Sequence, residues 1–397
     1  MQSIFENTAV AYAGKSDKAL RRSYVLFRLM SLGFLVHLGS FVMLFLLRFK
    51  MPLRWVVKPT IFKQFCGGEN IEEALQLTHT LQKNRVGAVL DYAAEGMDEE
   101  KKFEKTKDEI LTIIQRASHT EGVPFAVFKM SGLARFALLE KVQLKTPLSD
   151  AEKKEFENVL KRVKVICAEA HAYKVPVFID AEESWIQDTI DQIAYEMMAF
   201  YNKEKAIVYN TLQMYRHDRL EHLKKMHNQM KGQCILGFKL VRGAYMEKER
   251  KRAVKRGYIS PVHESKSATD TDFNEAVSYI LGDLDSTALC VATHNEESML
   301  KMMALMQEKK IASNTKCVYV AQLFGMGDNI SFNMAQRGYN VAKYVPYGEV
   351  ETVVPYLIRR AVENTSVAGQ TGRELSLIKK EINRRKLNKK DIKNNHA

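Results

Sequence analysis

Residues 235–241 read ILGFKLV, an apolar run whose one charge, Lys239, sits two positions before its end. Seven other short runs share that character: 87–92 (GAVLDY), 125–130 (FAVFKM), 175–180 (VPVFID), 207–212 (IVYNTL), 288–293 (ALCVAT), 317–322 (CVYVAQ) and 340–345 (NVAKYV). A stretch of helical periodicity follows each one. Continuous apolar runs alternating with helices predict parallel strands covered on both faces. Eight such units in about 260 residues fit a (β/α)8 barrel of the TIM type better than a doubly wound sheet. No G-x-G-x-x-G opens a helix after the first strand, and the P-loop pattern is absent, so neither nucleotide fingerprint supports an open sheet. The fold class expected is therefore α/β, with residues 86–372 forming the barrel.

Outside those limits the composition changes. The chain has 397 residues and a formal net charge of +13, and that charge is carried by its two ends. Lys15 to Lys58 hold nine basic residues against Asp17, and Lys379 to Lys393 hold eight against Glu381 and Asp391. A nucleic-acid enzyme would carry basic charge around its main fold, so nucleic acid is set aside. Residues 1–85 read as a helical region and 373–397 as a basic tail, either a solvated helix or a phospholipid contact. Within the first lies LMSLGFLVHLGSFVMLFLL (29–47), which just reaches spanning length. It reads as a spanning helix, a helix buried in the protein or a partner, or an anchor on a membrane surface. Residues 1–24 form no secretory signal, since no cleavable apolar core directly follows a short positive region, and no clean mitochondrial presequence, since they contain Glu6 and Asp17. Five scattered cysteines with no Cys-x-x-Cys argue for a reducing compartment, with neither zinc nor a disulfide framework.

In such a barrel the C-terminal ends of the strands face the active site. Here those ends hold Asp91 and Glu95, Lys129, Asp180, Gln213, Lys239 and Arg242, Thr293-His294-Asn295, Gln322 and Tyr344. One polar strand end is a routine surface cap, but a polar group on nearly every strand converges on one mouth. After the last strand, ETVVPYLIRRAVENTS (351–366) puts Tyr356, Arg359, Arg360 and Glu363 on one helical face, with Val353, Leu357 and Ala361 nearby. That face is either a solvated charged stripe or a guanidinium clamp over the mouth, suited to a carboxylate. His217, His222 and His227 are five apart, which is not a metal face, and they read as residues of a solvated helix. No metal is expected.

Six motifs in register, KLVRGAY (239–245), ATHN (292–295), AQLFGMGD (321–328), YLIRRAVEN (356–364), DAEES (180–184) and FKMSGLA (128–134), resemble proline dehydrogenase. The resemblance runs roughly from Ser16 to Gly372. It implies a distorted barrel holding FAD, with the last helix over the flavin. It also implies oxidation of L-proline to Δ1-pyrroline-5-carboxylate by hydride transfer to flavin N5. The partners it implies are a quinone acceptor and the matrix side of the mitochondrial inner membrane. Arg359 and Arg360 match the pair that binds the substrate carboxylate, with Lys129 as a third cation. Leu240, Tyr245, Leu323, Tyr344 and Tyr356 match positions that wall the proline ring. Glu95 matches an acid that gates the site by an ion pair, and Asp180 a residue that orients its neighbours.

For FAD the resemblance implies Gln213, Lys239, Arg242, Gly243, Ala244, Thr269, Thr293, His294, Asn295 and Glu363. Lys239 stands where bacterial relatives carry Arg, a cation that favours reduced, anionic flavin. Tyr344 matches a Ser in hydroxyproline dehydrogenase, so its bulk argues for proline over that alternative substrate. Filling the space of one hydroxyl is worth roughly 10–200-fold. A rival reading of the residues is a Schiff-base aldolase using Lys129 or Lys239, both of which end strands. A further rival is a basic protein that only binds membrane surfaces.

Overall fold

The computed structural model describes residues 4–49, 54–93, 98–366 and 370–394. All eight expected strands are present and close on themselves in chain order. They are β1 (Val86–Tyr92), β2 (Phe125–Lys129), β3 (Val177–Asp180), β4 (Val208–Gln213), β5 (Leu236–Val241), β6 (Thr287–Ala292), β7 (Val318–Leu323) and β8 (Val341–Tyr347). Every pairing is parallel, and β8 returns to β1 over seven residue pairs from Val86↔Val341 to Tyr92↔Tyr347. Both faces of each strand are covered, which is why the runs are apolar at consecutive positions instead of alternating.

Alternation sorts those residues into two layers. Phe125, Phe178 and Tyr209 point inward, Phe125 and Phe178 stacking at 4.2 Å between ring centroids, with Tyr319 edge-on to Phe125. This aromatic plug fills the interior below the polar mouth. Outward-facing neighbours such as Phe128, Ile179, Phe238 and Leu289 join the larger apolar layer beneath the surrounding helices.

Three helices outside the barrel decide what lies near its mouth. The helix Val350–Ser366 buries Val350, Val353, Val354, Leu357 and Ala361 against Phe27, Val36, Phe62 and Phe65 of the N-terminal region. The helix Gln370–Asn394 contains the expected tail, which is not simply solvated. Leu377 and Ile378 are buried, and Arg385 donates to the carbonyls of Tyr12 and Lys15 and pairs with Asp17. The third, Gly33–Arg48, spans roughly 24 Å at 1.5 Å per residue, short of a ~30 Å hydrocarbon layer. No single described helix is long and apolar enough to cross a membrane, and the pair Asp17–Met30 and Gly33–Leu46 bends by 95°. Val36 and Ser40 turn inward, while Phe34, Leu38, Phe41 and Phe45 remain exposed as an apolar stripe.

The reading of His222 and His227 as solvated is corrected. His222 Nε2 lies 3.0 Å from the Tyr195 hydroxyl, and buried His227 bonds to Tyr279 and Ser286. No cluster of His, Cys, Asp or Glu fit to hold a metal occurs among the described residues.

Candidate active site

Strand register explains the centre of the mouth. Lys129 ends β2 directly opposite Asp180 on β3, and both point inward above the aromatic plug. The Lys129 ammonium sits 3.0 Å from Asp91 Oδ2 and 3.5 Å from Asp180 Oδ2, and donates to the Tyr344 hydroxyl at 3.0 Å. Tyr344 in turn donates to Asp180 Oδ2 at 2.7 Å. Lys239, from β5, is in direct contact with Asp180 Oδ1 and lies 4.9 Å above the Phe178 ring. Two carboxylates, two ammonium groups and a phenol thus form one buried network. Burial alone would raise the Asp180 acid, but Lys239 and Lys129 overcome it and hold the group below its ordinary value. Burial, reinforced by the Asp180 and Asp91 charges, pushes Tyr344 well above the usual phenol range, so it remains a hydroxyl.

On the β5 and β6 side the groups are already braced. Arg242 donates to Asp270 at 2.8 Å, contacts Thr293 Oγ1, bonds Ser298 at 2.9 Å and stacks over Phe273 at 4.4 Å. Gly243 has φ +133°, and a Cβ there would run into the Tyr215 ring, so only glycine lets the KLVRGAY turn pass. Gln213 accepts from Ala244 N at 3.1 Å and donates to the Glu182 carbonyl at 2.6 Å. Thr293 Oγ1 takes Asn295 N–H, and Asn295 caps the helix Glu296–Glu308 through Ser298 N. His294 Nε2 accepts Leu323 N–H at 3.2 Å, which puts the ring proton on Nδ1. Burial, with Lys343 and Arg360 nearby, lowers this histidine to about 3. It is neutral across the physiological range.

Above this floor stands the helix Val350–Ser366. Its two arginines are half-buried and turned toward the mouth: Arg359 lies 5.7 Å over the Tyr245 ring, and Arg360 5.3 Å over the Tyr356 ring. Tyr245 belongs to the loop after β5, so a contact with Arg359 ties the helix across to the opposite strand ends.

The structure therefore brings together Lys129, Asp180, Lys239 and Tyr344, and separately Tyr245, Tyr356, Arg359 and Arg360. Leu323 lies partly buried beside the post-barrel helix. The expectation for Leu240 is corrected: alternation along β5 turns it outward with Phe238, fully buried in the layer under the helices. Thr269 is buried within the helix Lys266–Ile280 and bonds to the Ser265 carbonyl, beside the Asp270 that braces Arg242. Glu95 and the Glu363 side chain lie outside the described residues. Sequence reading placed Asp91 at a strand end but assigned it no role, and it missed Asp270 and Ser298. Such bracing groups come from distant segments and carry no motif of their own.

The donor set suits an anionic dinucleotide. Cations (Lys239, Arg242) and neutral donors ring one side of the mouth, and His294 Nδ1 is buried with no hydrogen-bond partner among the described residues. The family model for proline dehydrogenase matches residues 74–373. A carbapenem antibiotics biosynthesis protein, CarD, of Pectobacterium carotovorum is 34% identical over 81% of this chain and 83% of its own. Mitochondrial proline dehydrogenase 1 of Dictyostelium discoideum is 32% identical over 96% of this chain and 74% of its own. The crystal structure of proline utilization A from Bdellovibrio bacteriovorus superposes with a TM-score of 0.71 at 20% identity, over 93% of this chain and 39% of that longer protein. That last likeness is one of fold.

Proposed function

The chain belongs to the proline dehydrogenase family, and from that premise we propose that it oxidises L-proline to Δ1-pyrroline-5-carboxylate with FAD bound at the barrel mouth. It is a flavin-dependent oxidoreductase acting on a CH–NH bond, and its location is mitochondrial. The observation that carries the substrate reading is the inward aim of two adjacent guanidinium groups over a buried ionic floor. Arg359 and Arg360 bind the substrate carboxylate as a bidentate clamp, while Tyr245, Tyr356, Tyr344 and Leu323 wall the ring. Asp180, held below its ordinary value by its two lysines, is a weak base toward any substrate proton. It fixes Lys239 and the Tyr344 hydroxyl instead.

Lys239, Arg242, Gln213, Gly243, Ala244, Thr293, His294 and Asn295 are the groups that would hold FAD, with Glu363 and Thr269 as further contacts. When bound, the flavin supplies the hydride acceptor that no side chain of this protein provides. The aldolase reading loses support, because both strand-end lysines are ion-paired with carboxylates. Imine chemistry needs a lone desolvated amine. Hydroxyproline is disfavoured because the Tyr344 ring, tethered by Asp180, fills the wall that a ring hydroxyl would enter.

The electron acceptor in this reading is a quinone, and the protein rests on the matrix side of the inner membrane. The bare stripe Phe34, Leu38, Phe41 and Phe45, with exposed Trp55 and Val56 beside Arg54, supports a helix lying in the interface. Purified protein should be yellow, and anaerobic L-proline should bleach the flavin band while trans-4-hydroxy-L-proline does so poorly. A colourless protein that takes up no flavin defeats this reading. Phe41→Asp with Phe45→Asp should release the protein from anionic vesicles without loss of flavin reduction; undiminished sedimentation with vesicles removes the stripe as the anchor.

A further inference from the structure

The turn after β7, Phe324 to Asp328, is gripped at three consecutive residues, across two adjacent peptide groups, by side chains from separate parts of the chain. Gln64 donates to the Gly325 carbonyl at 2.6 Å, Lys343 donates to the Met326 carbonyl at 2.7 Å, and Glu374 accepts the Gly327 N–H at 2.5 Å. Gln64 comes from the N-terminal region, Lys343 from the outer face of β8, and Glu374 from the C-terminal helix. Gly327 has φ +63° and lies against His294: a Cβ built on it would sit 2.6 Å from Nδ1 and 3.2 Å from Cε1. On its other side the same imidazole holds Leu323 N–H. The ring is therefore held between the last residue of β7 and Gly327 of the turn that follows it.

We propose that Glu374 is a positioning residue of the cofactor site, by which the C-terminal helix fixes the Gly327 turn and so the His294 ring. This rests on reading His294 as a flavin contact. A carboxylate is a costly way merely to dock a helix, because burial penalises its charge. Docking is already provided: Leu377 and Ile378 are buried, Arg373 pairs with Glu296, Lys380 with Glu6 and Arg385 with Asp17. Glu374 is different because its carboxylate reaches past its own helix to a peptide of the turn. With Asp328, which lies 2.7 Å from Lys15 and 2.8 Å from Lys343, it makes a cluster of two carboxyl and two ammonium groups. Both chain termini thus converge on the turn that grips the histidine.

The test compares full-length Glu374→Ala, Glu374→Gln and Lys380→Ala, the last breaking a helix contact that does not touch the turn. Two quantities are read: the FAD dissociation constant, and the imidazole 15N resonances of His294, assigned with His294→Asn. Glu374→Ala should weaken FAD about tenfold, the size expected for a hydrogen bond to a charged group, and shift the His294 resonances. Glu374→Gln, whose amide oxygen still accepts from Gly327, should largely restore both, and Lys380→Ala should move neither. Unchanged resonances and FAD affinity in Glu374→Ala overturn the proposal, as does an equal loss in Lys380→Ala. Should Glu374→Ala not fold, Gly327→Ala perturbs the ring from the turn itself. It must then shift the resonances and loosen FAD, and its failure to do so is equally fatal. If the wild-type chain takes up no FAD, the functional reading falls while the resonances still judge the positioning role.

Discussion

Asp180→Asn tests the buried floor most directly. The substitution keeps the shape but removes the charge that faces Lys239, the Tyr344 hydroxyl at 2.7 Å and, at 3.5 Å, Lys129. The two lysines do not suffer alike. Lys129 retains Asp91 at 3.0 Å, whereas among the described residues Lys239 has no second carboxylate. The loss is therefore that of one buried ammonium left without its counter-ion, about 3–5 kcal/mol for breaking such a pair. The faces of Phe178 at 4.9 Å and Tyr344 at 5.1 Å recover part of it, about 0.5–1 kcal/mol or somewhat more each when desolvated. The net expectation is about 2–4 kcal/mol, measured as the fall in unfolding free energy from urea titrations at neutral pH. Adding Lys239→Met removes the stranded charge, so the double variant should be more stable than Asp180→Asn alone. Such non-additivity is the signature of direct coupling. A loss below ~1 kcal/mol for the single variant, or strictly additive losses in the pair, would refute the assignment of Asp180 as the ion that balances Lys239.

Three other outcomes follow from the same geometry. Arg359→Met should raise the KM for L-proline by about tenfold or more, the worth of a charge-assisted contact, while flavin content stays unchanged; an unaltered KM removes Arg359 from the clamp. Tyr344→Ser should move selectivity toward trans-4-hydroxy-L-proline by roughly 10–200-fold in kcat/KM, and no change in that ratio means the ring does not limit the pocket. Burial and the Asp328 charge raise Glu374 to about 7 against the opposing pull of the Gly327 N–H, Lys15 and Lys343, with Tyr12 also facing it. A raised carboxyl makes the folded chain bind more protons than the unfolded one between about pH 4.5 and 7, so its contribution to stability declines as pH rises through that window. Thermal midpoints of the wild type should carry that slope, and Glu374→Gln should flatten it.

Much of this was legible in the order of residues. Strand number, parallel pairing and closure follow from eight apolar runs separated by helical stretches, because only a sheet covered on both faces buries such runs. That Tyr356, Arg359 and Arg360 share a helical face beside the apolar Val353, Leu357 and Ala361 follows from periodicity, but whether that face meets solvent or the mouth does not. Leu240 was misjudged although its signal was present: with Lys239 facing the mouth, strand alternation must turn its neighbour outward. His222 and His227 were misjudged for a different reason, since their partners Tyr195, Tyr279 and Ser286 lie on other segments. Lys343 and Glu374 belong to that second kind. Each looks like an ordinary surface charge in its own stretch, and only the packing of both chain ends around the β7 turn gives it a peptide to hold. Sequence alone determined which elements form and which residues end at the mouth, because periodicity and propensity act over neighbours. What pairs with what inside that mouth was left to tertiary structure, because an ion buried at low dielectric is defined by groups on other strands, 38 residues away for Lys129 and Asp91 and 164 for Asp180 and Tyr344.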